Sequence, residues 1–288
     1  MMIHNPMKTI FVLAIVCHFI PLMLLAQGAE LVLKGSDEKR HIGFLPSNLE
    51  FTTELTGIEV DENHQVSLKE ITAVDDLGNW LKPIGRYPSP TNYFTQHNEM
   101  VIGIEPPVRQ AKSVSLQGVL EYFTISEELQ SKLNLKNLQQ RYHINLLPEK
   151  QIRSKLVLID LQGLQTLKEE DEASYYQKIK EIHLNAGVGT DLDDAERYLD
   201  KALHDFTLWT SDPSKLLHFY RWDPEDNIVE IKVFRDGENL FDGTYYSNNT
   251  YTCSLLKDVD PETELRILVK NEDAIKEIPF GFENIILP

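Results

Sequence analysis

The chain has 288 residues, a length that suits one large or two medium domains. Its hydrophobic content of 42% supports a packed core, and its net charge of −17 argues against nucleic acid as a partner, because an acidic surface repels phosphate backbones. Anionic membrane surfaces are disfavoured for the same reason.

Residues 1–28 have the order of a secretory signal peptide. Lys8 precedes the apolar run Ile10–Ala26, and small residues follow it. The run is short for a membrane span. We therefore expect cleavage between Ala26 and Ala29, a periplasmic or extracellular location, and no stable membrane span afterwards. An uncleaved N-terminal anchor is the alternative.

The two cysteines have different contexts. Cys17 lies in the apolar run and would leave with it, so Cys253 is alone in the mature chain and cannot form an internal disulfide. Cys253 lies in the alternating run Tyr251–Leu255, which favours a buried structural thiol over a reactive nucleophile.

The predicted elements between residues 29 and 161 are mainly strands, because β-forming and apolar residues occur in short runs between turn residues. A tight turn is predicted at Asp75–Asn79, and spaced leucines predict a short helix over Glu127–Leu138. The predicted strands include Leu31–Leu33, Ile42–Leu45, Leu49–Leu55, Val66–Val74, Met100–Ile104, Ser113–Thr124, Arg141–Leu147 and Lys155–Ile159.

A helical pair is predicted over residues 162–206. From Gln162 the apolar residues recur at spacings of three and four, and Gly187 with Gly189 ends the first helix. A second apolar face runs from Leu192 to Phe206. The acidic run Glu169–Glu172 is expected in the first turns of the first helix, where the helix dipole favours it.

Strand patterns return over residues 207–288. The predicted strands are Leu217–Arg221, Ile228–Phe234, Thr244–Tyr246, Tyr251–Leu255, Leu265–Val269 and Ile275–Phe280. The segment Ile71–Asn79 has a similar outline to Ile231–Asn239, and both a duplicated β-module and chance similarity explain it. We predict a mainly β fold of two immunoglobulin-like β-sandwich modules, 29–161 and 207–288, with the helical pair between them.

Two C-terminal runs carry a resemblance: KVFRDGENLFDGTYYSNNTYTC and LRILVKNEDAIKEIPFGFENIILP. They resemble the closing β-module of uncharacterised secreted bacterial proteins with immunoglobulin-like modules. The DDLGN turn and the PPVRQAKSVSLQG run nearer the N-terminus are similar to the same group. The resemblance implies export and a β-sandwich fold, and it implies no activity.

The sequence contains no recognisable catalytic or cofactor-binding motif. It has no nucleophile elbow, no zinc-protease motif, no phosphate-binding loop and no Cys-x-x-Cys, and its mature histidines have no ligand spacing. We therefore assign no catalytic residue, no metal and no cofactor. Three clusters of acidic residues are candidate calcium ligands: Asp191/Asp193/Asp194, Asp223/Glu225/Asp226 and Asp258/Asp260/Glu262/Glu264. A helix cap explains the first cluster better, and turns explain the other two.

Loop aromatics are the remaining candidates for binding, because such rings stack on sugars or anchor protein partners. Core-facing strand residues are the favoured alternative for these aromatics. The candidates are Tyr87, Tyr93, Phe94, Tyr245 and Tyr246. We expect an exported, non-catalytic interaction or structural module of the bacterial envelope, with a protein or glycan partner. The alternative is a carbohydrate-binding or carbohydrate-hydrolysing protein without a recognisable motif.

Overall fold

The structure is a computed structural model that describes residues 28–41, 47–84, 94–148, 153–186, 212–247 and 250–287. It is mainly β, with 53% strand and 13% helix, which confirms the predicted class. The predicted signal peptide up to residue 27, the predicted strand 42–45 and the predicted helical face 192–206 lie outside the described residues.

The strands up to the helical segment are β1 (Glu30–Lys39), β2 (Asn48–Thr56), β3 (His64–Asp75), β4 (Trp80–Leu81), β5 (Glu99–Ile104), β6 (Ser113–Thr124), β7 (Lys132–Leu135) and β8 (Lys155–Ile159). The helices are α1 (Leu161–Glu170) and α2 (Glu172–Ala186). The later strands are β9 (Leu216–Trp222), β10 (Ile228–Arg235), β11 (Glu238–Asn239), β12 (Phe241–Ser247), β13 (Thr250–Leu255), β14 (Glu264–Val269) and β15 (Ile275–Ile286).

The chain divides into two compact units. Unit 1 draws on Met1–Asp61, Val66–Leu120 and Ile278–Pro288, and unit 2 on Glu62–Gln65 and Glu121–Glu277. In unit 2, β7 pairs with β14 and β8 pairs with β9 across the helical segment, so strands from both sides of that segment belong to one unit.

Unit 1 is built on antiparallel strands with alternating burial. One of its sheets has the order β1-β2-β5, and its central strand β2 buries Leu49, Phe51 and Leu55. A second sheet has the order β15-β6-β3-β4, and most of its residues lie in this unit. Alternation places every second side chain of a strand on one face, so these strands supply the apolar residues of the unit.

Two tight turns close hairpins as predicted, one in each unit. Gly78 (φ 83°) follows Asp75 in the β3–β4 turn, and Gly237 (φ 80°) lies in the β10–β11 turn. Positive φ is the conformation that glycine adopts without strain. After the first turn Leu81 is buried while its neighbour Trp80 is 75% exposed, and after the second turn Leu240 is buried.

Unit 2 contains two four-stranded antiparallel sheets, with the orders β11-β10-β14-β7 and β12-β13-β9-β8. Both sheets contribute to one apolar core. Its members include Leu156, Leu158, Leu217, Phe219, Ile231, Val233, Cys253, Leu255, Leu265 and Ile267. Cys253 is free and buried, as the sequence predicted.

The helices pack on the other face of the β12-β13-β9-β8 sheet, against β8 and β9. A second apolar cluster joins sheet residues Val157, Ile159 and Tyr220 to helix residues Leu161, Leu164, Tyr175, Ile179 and Ile182. The acidic run lies at the junction of α1 and α2, not at the start of the first helix. Asp171 ends α1 and caps α2, where it accepts hydrogen bonds from the Ser174 backbone N–H (3.1 Å) and hydroxyl (2.6 Å).

Two local predictions were wrong. Glu127–Leu138 does not form a helix, since Leu133 and Leu135 pair with Ile267 and Leu265 of β14 and pack against the core. The spacing of these two leucines is that of a strand. Arg141–Leu147 makes only isolated bridges, and His143 interrupts it with a φ of 65°.

Candidate interaction site

The β12-β13-β9-β8 sheet has two faces with different surroundings. We call the face toward the core of unit 2 the inner face, and the face toward α1 and α2 the outer face. Cross-strand partners lie on the same face of a sheet, and successive residues of a strand lie on opposite faces. The strand register therefore assigns each aromatic side chain to one face.

Tyr245 and Tyr246 lie on opposite faces. Tyr245 pairs with Thr252, whose other partner is His218, and this row belongs to the outer face. Tyr246 pairs with Tyr251, whose other partner is the core residue Phe219, so Tyr246 belongs to the inner face. Both tyrosines are exposed, Tyr245 by 70% and Tyr246 by 63%. They therefore do not form one flat binding surface.

An aromatic row on the inner face connects the core with the surface. The Tyr246 and Tyr251 rings meet edge to face at 6.4 Å, and the Tyr251 and Phe219 rings lie 6.2 Å apart. Burial and the neighbouring Cys253 thiol raise the pKa of the Tyr251 hydroxyl. Tyr251 is thus a neutral, positioned ring that supports Tyr246.

A cavity of about 230 Å³ lies beside this row, and we call it the β10 cavity. Its lining combines a stretch of β10 with side chains of β9, β12 and β13: Ile228, Val229, Glu230, Ile231, Lys232, Arg221, Phe241 and Tyr251. Apolar walls with a few polar groups are typical of binding cavities. The carboxylate of Glu230 and the Lys232 ammonium form an ion pair at 2.6 Å.

Arg221 is held in place at the cavity by a buried carboxylate. Its Nη2 donates to Asp223 Oδ2 at 2.7 Å and to the Ile228 carbonyl at 3.3 Å. Burial raises the pKa of Asp223, but hydrogen bonds from Ser154, the Ile228 N–H, Arg221 and the Asn227 N–H outweigh this effect, so the pKa lies below its ordinary value. The ionised Asp223 keeps the guanidinium oriented.

His218 is a buried titratable residue of the outer face. Its Nδ1 lies 3.0 Å from the Thr252 hydroxyl oxygen, and burial lowers its pKa to about 4. The inner face has Cys253 next to Thr252, and burial raises the pKa of its thiol to about 12. Neither group has the properties of an activated nucleophile or base at neutral pH.

The other predicted aromatics do not join this site. Tyr87 and Tyr93 lie outside the described residues. Phe94 belongs to unit 1 and is half-buried, next to Thr95, which bridges Val66 of β3. Of the predicted aromatics in the described part of the chain, only Tyr246 lies in the aromatic row of this site.

The carboxylates of the calcium hypothesis serve other contacts. Asp223 accepts from two backbone N–H groups and from Arg221. Asp260 accepts from the Glu262 N–H and pairs with Arg235 at 3.0 Å, and Asp258 accepts from the Ser214 hydroxyl at 2.9 Å. Among the described residues these carboxylates do not gather as a group of three, and residues 191–194 lie outside that set.

Sequence reasoning missed Arg221, Phe241 and the Ile228–Lys232 stretch as candidates. Each looks like an ordinary strand residue, and they meet only because four strands converge at the cavity. The run of turn residues between β9 and β10 is the one sequence signal nearby, because Asp223 accepts the backbone N–H of Asn227 and thereby positions Ile228 after the turn.

No protein-family model, curated protein or solved structure matches the chain. Across the described ranges, none of the helices has the length and apolar character that crossing a membrane requires. The function is therefore inferred from the geometry of the site itself.

Proposed function

We propose that the chain is an exported, non-catalytic interaction module of the bacterial envelope, with immunoglobulin-like sandwich modules, and that it binds its partner at the Tyr246 side of unit 2. The signal-like order of residues 1–28 supports export. The two-sheet core of unit 2 supports a sandwich, since both sheets bury their inner faces against each other's side chains.

The observation that carries the proposal is the position of Tyr246. Its ring is 63% exposed and contacts Tyr251, and Tyr251 in turn lines the cavity of about 230 Å³, so an exposed aromatic surface connects with a concave one. Aromatic side chains that are positioned by packing lose little entropy on binding and dominate many interfaces.

A glycan is the competing partner, because an exposed tyrosine next to a cavity also suits stacking on a sugar ring. Hydrolysis of that glycan is disfavoured at the β10 cavity. A glycosidase needs two facing carboxylates, whereas Glu230 is the one carboxylate among the described lining residues and is paired with Lys232. Binding without turnover is the function that the lining supports.

A photo-crosslinking amino acid at position 246 tests the proposal in cells that export the protein. We expect a covalent adduct from position 246 and none from position 176 of α2, where Tyr176 is 40% exposed and serves as a matched control. Equal adducts from both positions, or adducts from neither, would overturn the proposal. A glycan array run in parallel separates a glycan from a protein partner.

Intact-mass measurement of the naturally exported protein tests the export step separately. The expected N-terminus lies between Gln27 and Ala29. A mass that retains Met1 or Met7 would contradict export with cleavage, whatever the crosslinking result.

A further inference from the structure

The β10 cavity lies along a strand edge that is not paired with another strand. In the β11-β10-β14-β7 sheet, β11 pairs only with Phe234 and Arg235 of β10. Within the described ranges, no strand pairs with Ile228–Lys232 on the side away from β14. This is also the stretch that lines the cavity. An unpaired edge presents backbone donors and acceptors that readily pair with another strand.

The direction of these backbone groups follows from one hydrogen bond. The Leu240 N–H donates to the Val233 carbonyl at 2.8 Å, so the peptide groups of Val233 point to the edge that faces away from β14. In an antiparallel ladder these directions alternate, so the N–H and carbonyl of Ile231 point to the same edge. The Ile231 side chain itself is buried in the core.

Arg221 supplies charge on the cavity wall. Its two hydrogen bonds within the described structure both come from Nη2, which leaves the Nε and Nη1 donors. The side chain is 20% exposed and lies in the cavity lining with Phe241 and Tyr251. A guanidinium with spare coplanar donors is suited to a carboxylate.

We propose that the Ile228–Lys232 edge accepts a short extended peptide segment of a partner protein as an added strand, with one acidic side chain of that segment bound to Arg221. This inference rests on the proposed function and names its partner class. Main-chain hydrogen bonds to the edge give affinity, and the aromatic walls receive a neighbouring side chain.

The added ladder is short and centres on Ile231. The Ile228 N–H and carbonyl are already bonded to Asp223 and Arg221, and the register with β14 shifts between Ile228 and Glu230. At the other end the Val233 carbonyl accepts from Leu240, and β11 pairs with β10 from Phe234 onward.

The alternatives fit this edge less well. A glycan does not reproduce the alternating N–H and carbonyl groups of a strand, whose repeat is about 6.8 Å. A second copy of the chain would bring together two molecules that each have a net charge of −17. A partner segment with one acidic residue among neutral or basic residues avoids that repulsion.

Selection from a displayed library of random heptapeptides with a glutamate at the central position tests the proposal on the full mature chain. The best binder is then synthesised in four forms: the parent, a form with glutamine replacing the central glutamate, and two forms that are N-methylated at alternate backbone amides. Fluorescence anisotropy measures their affinities.

We expect the glutamine form to bind on the order of tenfold more weakly, because a charged hydrogen-bonded pair is lost. One N-methylated form should lose binding, and the other should stay within about threefold of the parent, because only every second amide of an added strand faces β10. Hydrogen exchange of residues 228–233 should slow with the parent peptide. For the Arg221→Lys variant, the affinities of the glutamate and glutamine forms should differ less than they do for the wild type. The comparison of the four peptides on the wild type remains a valid test even if this variant does not fold.

Three outcomes would overturn the inference: no enriched peptide, equal binding of the two N-methylated forms, or equal binding of the glutamate and glutamine forms. If any of these results occurs while position 246 still forms adducts, the proposed function is supported and only the inference of strand addition is wrong. Sedimentation that shows a dimer protected at residues 228–233 would assign the edge to a second copy instead.

Discussion

The inner and outer faces of the β12-β13-β9-β8 sheet share the same strands and both pack on apolar clusters, but they differ in chemistry at β9 and β13. The inner face has Phe219, Tyr251 and Cys253 in a row that continues into the core, whereas the outer face has His218 and Thr252 in a hydrogen-bonded pair. Adjacent residues in the chain therefore experience different environments. The comparison shows that the face, more than the strand, decides the properties of a residue here.

The two faces provide matched pairs of neighbouring residues for experiments. A change on one face can be controlled by a change one residue away on the other face. The largest effect is expected at the buried thiol of the inner face, and the smallest at the exposed tyrosines.

Cys253 tests the burial of the inner face. Because burial raises the pKa of its thiol to about 12, we expect native labelling by iodoacetamide at pH 8 to be slower than labelling of the unfolded chain by roughly 1,000-fold. A Thr252→Cys, Cys253→Ala double variant places the thiol on the outer face as a control. Rapid native labelling of Cys253 would show that its strand is placed on the wrong face.

His218 tests the outer face through pH. Its pKa in the folded protein is about 4, below the ordinary value of 6.5, so the folded state favours the neutral ring. The contribution of neutral His218 to the free energy of unfolding should be complete above pH 6.5, and it should be lost as the pH drops toward 4. The loss should approach roughly 3 kcal/mol, because a difference of one between the folded and unfolded pKa values corresponds to about 1.36 kcal/mol.

Urea unfolding of the wild type and of His218→Asn between pH 4 and 7 measures this effect. The lowered pKa of His143 contributes to both proteins in the same direction, so their difference isolates His218. Parallel pH profiles for the two proteins would contradict the buried neutral histidine.

The tyrosine pair gives the smallest effect and compares the two faces directly. Tyr246→Ala removes an edge-to-face contact with Tyr251 and should lower the free energy of unfolding by about 1 kcal/mol. Tyr245→Ala should change it by less than about 0.5 kcal/mol, because that side chain is 70% exposed on the outer face. Equal losses in chemical denaturation would show that the two rings have equivalent surroundings.

Much of the local structure could be predicted from sequence. The alternation in Tyr251–Leu255 indicated a strand and a buried Cys253, and the turns at Gly78 and Gly237 followed from residues that tolerate positive φ. The helical spacing after Gln162 was correct, although Asp171 breaks the segment into two helices. Of the candidate site, the sequence singled out only Tyr246, since Tyr245 lies on the outer face.

What the sequence by itself determined is which residues share a face of an element, because periodicities of 2.0 and 3.6 are local properties of the backbone. It did not determine which face is covered or which strands pair. Leu133 pairs with Ile267 and Leu156 with Arg221, contacts that depend on residues far along the chain. The opposite faces of Tyr245 and Tyr246, the open edge at Ile231 and the position of Arg221 were therefore decided by tertiary structure, since non-local pairing is set by the sum of many packing contacts and not by any local pattern.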